Sequence, residues 1–163
     1  MRDGFAGRLN VYRTMAHHPA LVRAWAPLRE HVVLRNALGA QRSEVVILRT
    51  GHRLGAAYEW AHHVSRARAC GMEDGRIASI AGPLADMTPE DAVIAGAVDA
   101  LLDQHRLPPP DLAALTALVG VEGVFDVMAT VGFYSTLGYI VATFQTPLDA
   151  DVATELMERP LGD

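Results

Sequence analysis

The sequence contains no lysine; arginine supplies all 14 of its positive charges. That excludes Schiff-base chemistry, lysine-anchored pyridoxal phosphate and the lysine of a phosphate-binding loop. Cysteine occurs once, as Cys70, which excludes an internal disulfide, a CxxC redox pair and a zinc site built from cysteines. Basic runs are absent, and 14 positive against 19 negative charges leave a net charge of −5. No nucleic-acid partner is expected of such a chain. Common catalytic signatures are missing too. GxGxxG and HExxH do not occur, and Ser135 lies between Gly132 and Gly138 at the wrong spacing for a nucleophile elbow. Alternating strand patterns are lacking, and Asp74-Gly75 sits between helical segments rather than in a hairpin. Met1 to Leu9 carries charges and no apolar stretch, so no signal peptide and a cytoplasmic location are expected.

What is present is an ordinary globular balance. Apolar residues make up 50% and charged residues 20% of 163 positions, enough for one domain, 1–163, with a real core. Helix signals dominate, and the fold class read from them is all-α. The expected helices are Pro19 to Leu34, with Trp25 and Leu28 facing inward; Ala40 to Leu54; and Ala56 to Cys70, capped by Gly71. A short helix over Glu73 to Ala81 follows. Thr88-Pro89-Glu90-Asp91 is the clearest start, with Thr at the N-cap, Pro in the first turn and acids beside the helix dipole. That helix should reach about His105. After Pro108-Pro109-Pro110, a short helix runs to Val119, Gly120 breaks it, and a long one covers Glu122 to about Gln145.

Val127 to Phe144 is 18 residues without a charge. It includes Thr130, Gly132, Ser135, Thr136, Gly138 and Thr143, whereas a span needs roughly 20 predominantly apolar residues. It is read as a buried helix, and no membrane partner is expected. Its apolar residues, Phe133 and Ile140 among them, are spread over more than one face. One face should meet the core and another a second copy of the chain.

The segment that could carry chemistry is Tyr58-Glu59-Trp60-Ala61-His62-His63, with Glu44 upstream. Glu59 and His63 are four apart and share a helix face. A carboxylate beside an imidazole can fix its tautomer and move protons near pH 7. A plain surface ion pair is the competing reading, and Glu44 alone would serve as a first-turn charge. Tyr58 and Trp60 bracket Glu59 and would shield it from water, or pack as ordinary core rings. Glu59-Trp60-Ala61-His62 has the ExxH spacing of di-iron helices, but no second ExxH exists. A mononuclear metal site from Glu44, Glu59 and His63 is a further option; no metal or cofactor is expected. Arg49 or Arg53 could pair with a substrate carboxylate.

Glu44, Tyr58-Glu59-Trp60, His63 and the small residues to Gly71-Met72 resemble the carboxymuconolactone decarboxylase family, whose fold is AhpD-like. The resemblance is best over Pro19 to Ile80, with a weaker echo at Gly132 to Tyr134 and an overall core of about 19–145. In the peroxidase branch a Glu, a CxxC pair and a His form a proton relay. Here Glu44 and His63 fall at the relay positions, while Ala56 and Glu59 stand where the cysteines would be. The decarboxylase branch instead has Glu-x-x-x-His, as Glu59 and His63 provide. The resemblance therefore implies cofactor-free acid–base chemistry on a small carboxylic acid or lactone, by decarboxylation or by lactone isomerisation or opening. His63 would be the acid/base, Glu59 its orienting partner or a second base, and Glu44 a supporting group. Tyr58, Trp60 and Arg49 would bind substrate. It also implies a homo-oligomer, a trimer or hexamer. The alternatives are an AhpD-like protein bearing a peroxiredoxin label without the redox cysteines, and a non-catalytic binding protein. Cys70, two turns past His63 and beside a helix C-terminus, is poorly placed for a thiolate.

Overall fold

The computed structural model describes residues 9–161, and the reading of the first eight residues lies outside them. The fold among these residues is all-α. Eight helices run in order: α1 (Asn10–Met15), α2 (Pro19–Glu30), α3 (Ala40–Arg53), α4 (Ala57–Ala69), α5 (Asp74–Ser79), α6 (Pro89–Gln104), α7 (Pro109–Thr143) and α8 (Ala150–Glu158). A π-helical turn, His31–Arg35, extends α2, and a 3₁₀ turn, Leu84–Asp86, precedes α6.

The core forms where α3, α4, α6 and α7 meet. Val45, Val46, Leu48, Val64, Ile94, Val98, Leu115 and Val127 are sealed there. α3 is buried over nine consecutive residues, Ser43 to Gly51. A helix covered all round must also bury its polar side chains, and this one buries Glu44 and Arg49. α3 and α4 close on each other at Gly51, where a Cβ would meet Trp60 N at 3.4 Å and Glu59 Cβ at 3.5 Å. The approach is what brings α4's carboxylate against α3.

Thr88 caps α6 through its side chain, which accepts from Asp91 N at 3.2 Å. Gly120 interrupts α7 with φ +74° and ψ 173°, a left-handed conformation that glycine adopts without strain. The two terminal helices, α1 and α8, had no sequence signal strong enough to be foreseen.

Three expectations need correction. Leu28 is 43% exposed rather than inward-facing, because α2 buries no residue fully and is held mainly through Trp25, whose ring lies 4.5 Å from Phe133. Phe133 belongs to the core of its own chain, at 3% exposure, and is not free to meet a partner. The uncharged stretch of α7 is not covered all round either. Val121, Phe125, Met128, Gly132 and Tyr139 stay exposed at spacings of four, three, four and seven, which puts them on a single stripe. α7 is long and apolar enough, by length and composition, to cross a membrane; its other faces pack on α3, α4, α6 and α1.

Candidate active site

His63 stands on the inward face of α4, 4% exposed. Its Nδ1 lies 2.6 Å from Glu44 Oε2, from α3. Its Nε2 lies 3.8 Å from Glu59 Oε2, one turn earlier on α4. Glu44, Glu59 and His63 therefore come together, but their ranking differs from the sequence reading. Glu44 is the close partner that orients the ring, and Glu59 stands off beyond hydrogen-bond distance. Helical spacing brings an i,i+4 pair onto one face; only the packing of α3 on α4 could show that a carboxylate from elsewhere approaches more closely. With Glu44 ionised, Nδ1–H donates to it, and Nε2 is left with the lone pair.

Two cavities flank the imidazole. An outer pocket of about 400 Å³ includes Ser43, Glu44, His63, Arg66, Cys70 and Tyr134 in its lining. An inner chamber of about 120 Å³ includes Tyr12, Arg29, Glu59, His63, Arg66 and Tyr134. Val33, His63, Arg66 and Tyr134 form their common wall. Glu44 is thus on one side of the ring and Glu59 on the other. The ring is wedged by Tyr134, edge-on with centroids 4.9 Å apart.

Glu59 is unusual. It is 4% exposed, and its buried Oε1 has no hydrogen-bond partner. Burial pushes its carboxyl above the ordinary value of 4.5, against the opposing pull of His63, His62 and Arg66. The folded protein therefore holds this proton where the unfolded chain has released it. Stability then falls as pH rises above about 4.5, by ~1.4 kcal/mol for each pH unit over which the two states differ by one proton. Glu59→Gln removes that proton-dependent loss. Its melting temperature should gain on the parent by about 3–5 °C per pH unit through this range. A difference that stays constant with pH would contradict a buried, proton-retaining Glu59.

The substrate-binding residues expected from sequence are placed less uniformly. Arg49 is 7% exposed and fully engaged. It donates to Asp99 through Nε at 2.8 Å and Nη2 at 2.6 Å, and through Nη1 to the carbonyls of Ile80 and Gly82, both at 2.9 Å. It lines neither cavity, so it is a fastener between α3, α6 and the segment after α5. Arg53 likewise pairs with Asp99 and Asp103. Trp60 faces the hydrophobic core and packs beside His52, away from both cavities. Tyr58 does border the inner chamber, but its hydroxyl is committed. It donates to Asp149 Oδ2 at 2.6 Å and accepts from Val11 N at 3.2 Å.

Arg66 borders both cavities, with Nε 3.7 Å from Glu44 Oε1, and Arg29 borders the inner one. The signal was available: Glu59, His63 and Arg66 are i, i+4 and i+7 on one helix face. Tyr134 carried no such signal. His62 points away from His63 and is held on both sides, Nδ1 at 2.9 Å from the Tyr58 carbonyl and Nε2 at 2.8 Å from Asp149. Cys70 borders the outer pocket, where burial and then the Glu44 charge push its thiol up. No group of three or more His, Cys, Asp or Glu among the described residues is arranged to hold a metal ion.

The profile of the carboxymuconolactone decarboxylase family matches residues 19–101. The chain belongs to that family. Its matched segment carries Glu44, Glu59, His63 and Arg66 of the site, whereas Tyr12, Tyr134 and Asp149 lie outside it. A search of curated proteins gave no match. Among solved structures, the fold is similar to that of a protein of unknown function from Agrobacterium tumefaciens, provisionally assigned as the antioxidant defence protein AhpD. The TM-score is 0.73 at 20% identity, over 83% of this chain and 94% of that one. The AhpD-like fold of this family member is thereby established.

Proposed function

We propose that this family member is a cofactor-free acid–base enzyme acting on a small carboxylated or lactone substrate, by decarboxylation or by lactone isomerisation or opening. One observation carries the reading: Glu44 holds His63 Nδ1 at 2.6 Å, while Nε2 faces a chamber that contains a buried, unpaired carboxyl. Glu44 stabilises the imidazolium, and Nε2 delivers a proton to the carbanion or enolate carbon, or removes one from it. Burial pushes the Glu59 carboxyl up, and in its protonated form it donates a hydrogen bond to the oxygen on which negative charge develops. Arg66 offsets the charge between the cavities.

The experiment is a turnover screen of small carboxylic acids and lactones, read as carbon dioxide release, ring opening or uptake of solvent deuterium at carbon. Turnover lost in Glu44→Gln supports the reading. Turnover indifferent to Glu44, or none with any member of both classes, argues for a binding protein. A thiol peroxidase is the weaker alternative, since Cys70 is a lone thiol held protonated by burial.

We also propose that the chain works as a homo-oligomer. The exposed stripe of Val121, Phe125, Met128, Gly132 and Tyr139 supports this: it is apolar, it repeats at a and d spacing, and glycine at its centre permits close approach. Light scattering should give a multiple of 17.5 kDa. Phe125→Asp and Tyr139→Asp should give a folded monomer; a monomeric parent would refute the proposal.

A further inference from the structure

The lining of the inner chamber carries two guanidinium groups as well as Glu59. Arg29, from the last turn of α2, reaches into it and donates through Nε to Tyr12 Oη at 2.9 Å. Its guanidinium carbon stands 5.8 Å from the Tyr12 ring centroid. Among the described residues no carboxylate pairs with Arg29, although ten ion pairs occupy eight of the other arginines. Arg66, the other guanidinium on the chamber, has its nearest carboxylate at 3.7 Å. Asp151 is the counter-charge on the lining, and it is exposed at the rim. His62 also borders the chamber, already paired with Asp149.

The lining also includes the apolar side chains of Leu9, Val11, Val33, Leu137 and Val152. A space of about 120 Å³ is slightly smaller than the ~150 Å³ that accommodates benzene in an engineered protein cavity. Apolar walls with a few convergent polar groups are the usual form of a small-molecule site. Glu59 belongs to this lining, and its buried Oε1 has no hydrogen-bond partner among the described residues.

We infer that the inner chamber binds a small monocarboxylate with a compact apolar body, its carboxylate paired with Arg29 and Arg66 in a chamber whose lining also holds Glu59 and His63. This deepens the acid–base reading above and rests on it for the orientation of the ligand, but not for binding. Guanidinium is the side chain best matched to a carboxylate, and Tyr12 holds the Nε of Arg29 without engaging its two Nη groups. Arg29 is then a specificity-determining residue, selecting acids over neutral compounds of the same shape.

The test uses isobutyrate and its neutral isostere isobutyramide as probes, with affinity measured by calorimetry on the full chain. A chemical-shift map of Tyr12 and His63 locates the site. Charge-assisted hydrogen bonds of this kind correspond to roughly 10- to 100-fold in affinity. Isobutyrate should bind the parent at least tenfold more tightly than isobutyramide and shift both resonances. Arg29→Gln should remove that preference, whereas Arg23→Gln, exposed on the same helix and outside the chamber, should leave it intact. Each variant is first shown to melt as the parent does; should Arg29→Gln fail that check, Arg29→Met takes its place. Equal affinity for the two probes, isobutyrate binding unaffected in the Arg29 variant, shifts elsewhere, or no binding at 10 mM overturns the inference. Loss of turnover in Glu44→Gln with isobutyrate binding unchanged leaves both proposals standing. Isobutyrate binding without any turnover sinks the catalytic reading alone.

Discussion

His63→Asn is expected to lower turnover by about 10²- to 10⁴-fold, the usual worth of a positioned general acid or base. Asparagine is the informative replacement because its amide nitrogen overlays imidazole Nδ1 and can still donate to Glu44. What it deletes is Nε2, the atom 3.8 Å from Glu59. The fold should survive, since the 2.6 Å contact to Glu44 retains a donor. KM should change little, as Arg29 and Arg66 are untouched. A fall of less than tenfold in kcat with the fold intact would mean that Nε2 does not carry the proton.

The second large effect is on stability. Arg49→Met is expected to lower the unfolding free energy by about 3 kcal/mol, at the low end for breaking a buried pair. The loss comes from stranded partners: the Ile80 and Gly82 carbonyls lose their donor. Asp99 keeps only Arg53, at 2.6 Å, which holds the cost below the upper end. Urea denaturation measures it. A substrate-binding Arg49 would behave in the opposite way, with KM raised and the midpoint unchanged. A loss below about 1 kcal/mol would refute the fastening role.

These two residues show what the sequence could and could not convey. Helix spacing placed Glu59 and His63 on one face, and the Thr88-Pro89 and Gly120 signals marked boundaries that the structure keeps. Such signals are local: they depend on residues within a few positions of one another. Whether Arg49 or Arg66 faces the site depends on which helix packs against which face, and that is settled only by the whole core. Arg49 was legible as a cation but not as one consumed by Asp99, 50 residues away. The ordering of Glu44 ahead of Glu59 around His63 has the same origin. Trp60 and Tyr58 flank Glu59 in sequence, so they point to different sides of α4, and only Tyr58 borders a cavity. The terminal helices are short and weakly patterned, and what joins them is a single carboxylate at the start of the second, 139 residues from the first.

That carboxylate is Asp149. It accepts from Asn10 N at 3.0 Å, from Tyr58 Oη at 2.6 Å and pairs with His62 at 2.8 Å. Asn10 opens α1 and Asp149 immediately precedes α8, so one side chain ties together segments 139 residues apart. Contacts with so long a loop to close form late in folding. The core of α3, α4, α6 and α7 can assemble before them, and the inner chamber, which takes Leu9, Val11, Tyr12, Asp151 and Val152 from the two ends, is completed only when the clasp shuts. Undoing that clasp would strip Val11 and Met15 from the buried cluster around Phe133 and Leu137 and leave Asp149 without Asn10, Tyr58 and His62, so the two terminal segments stand or fall together as the roof of the chamber.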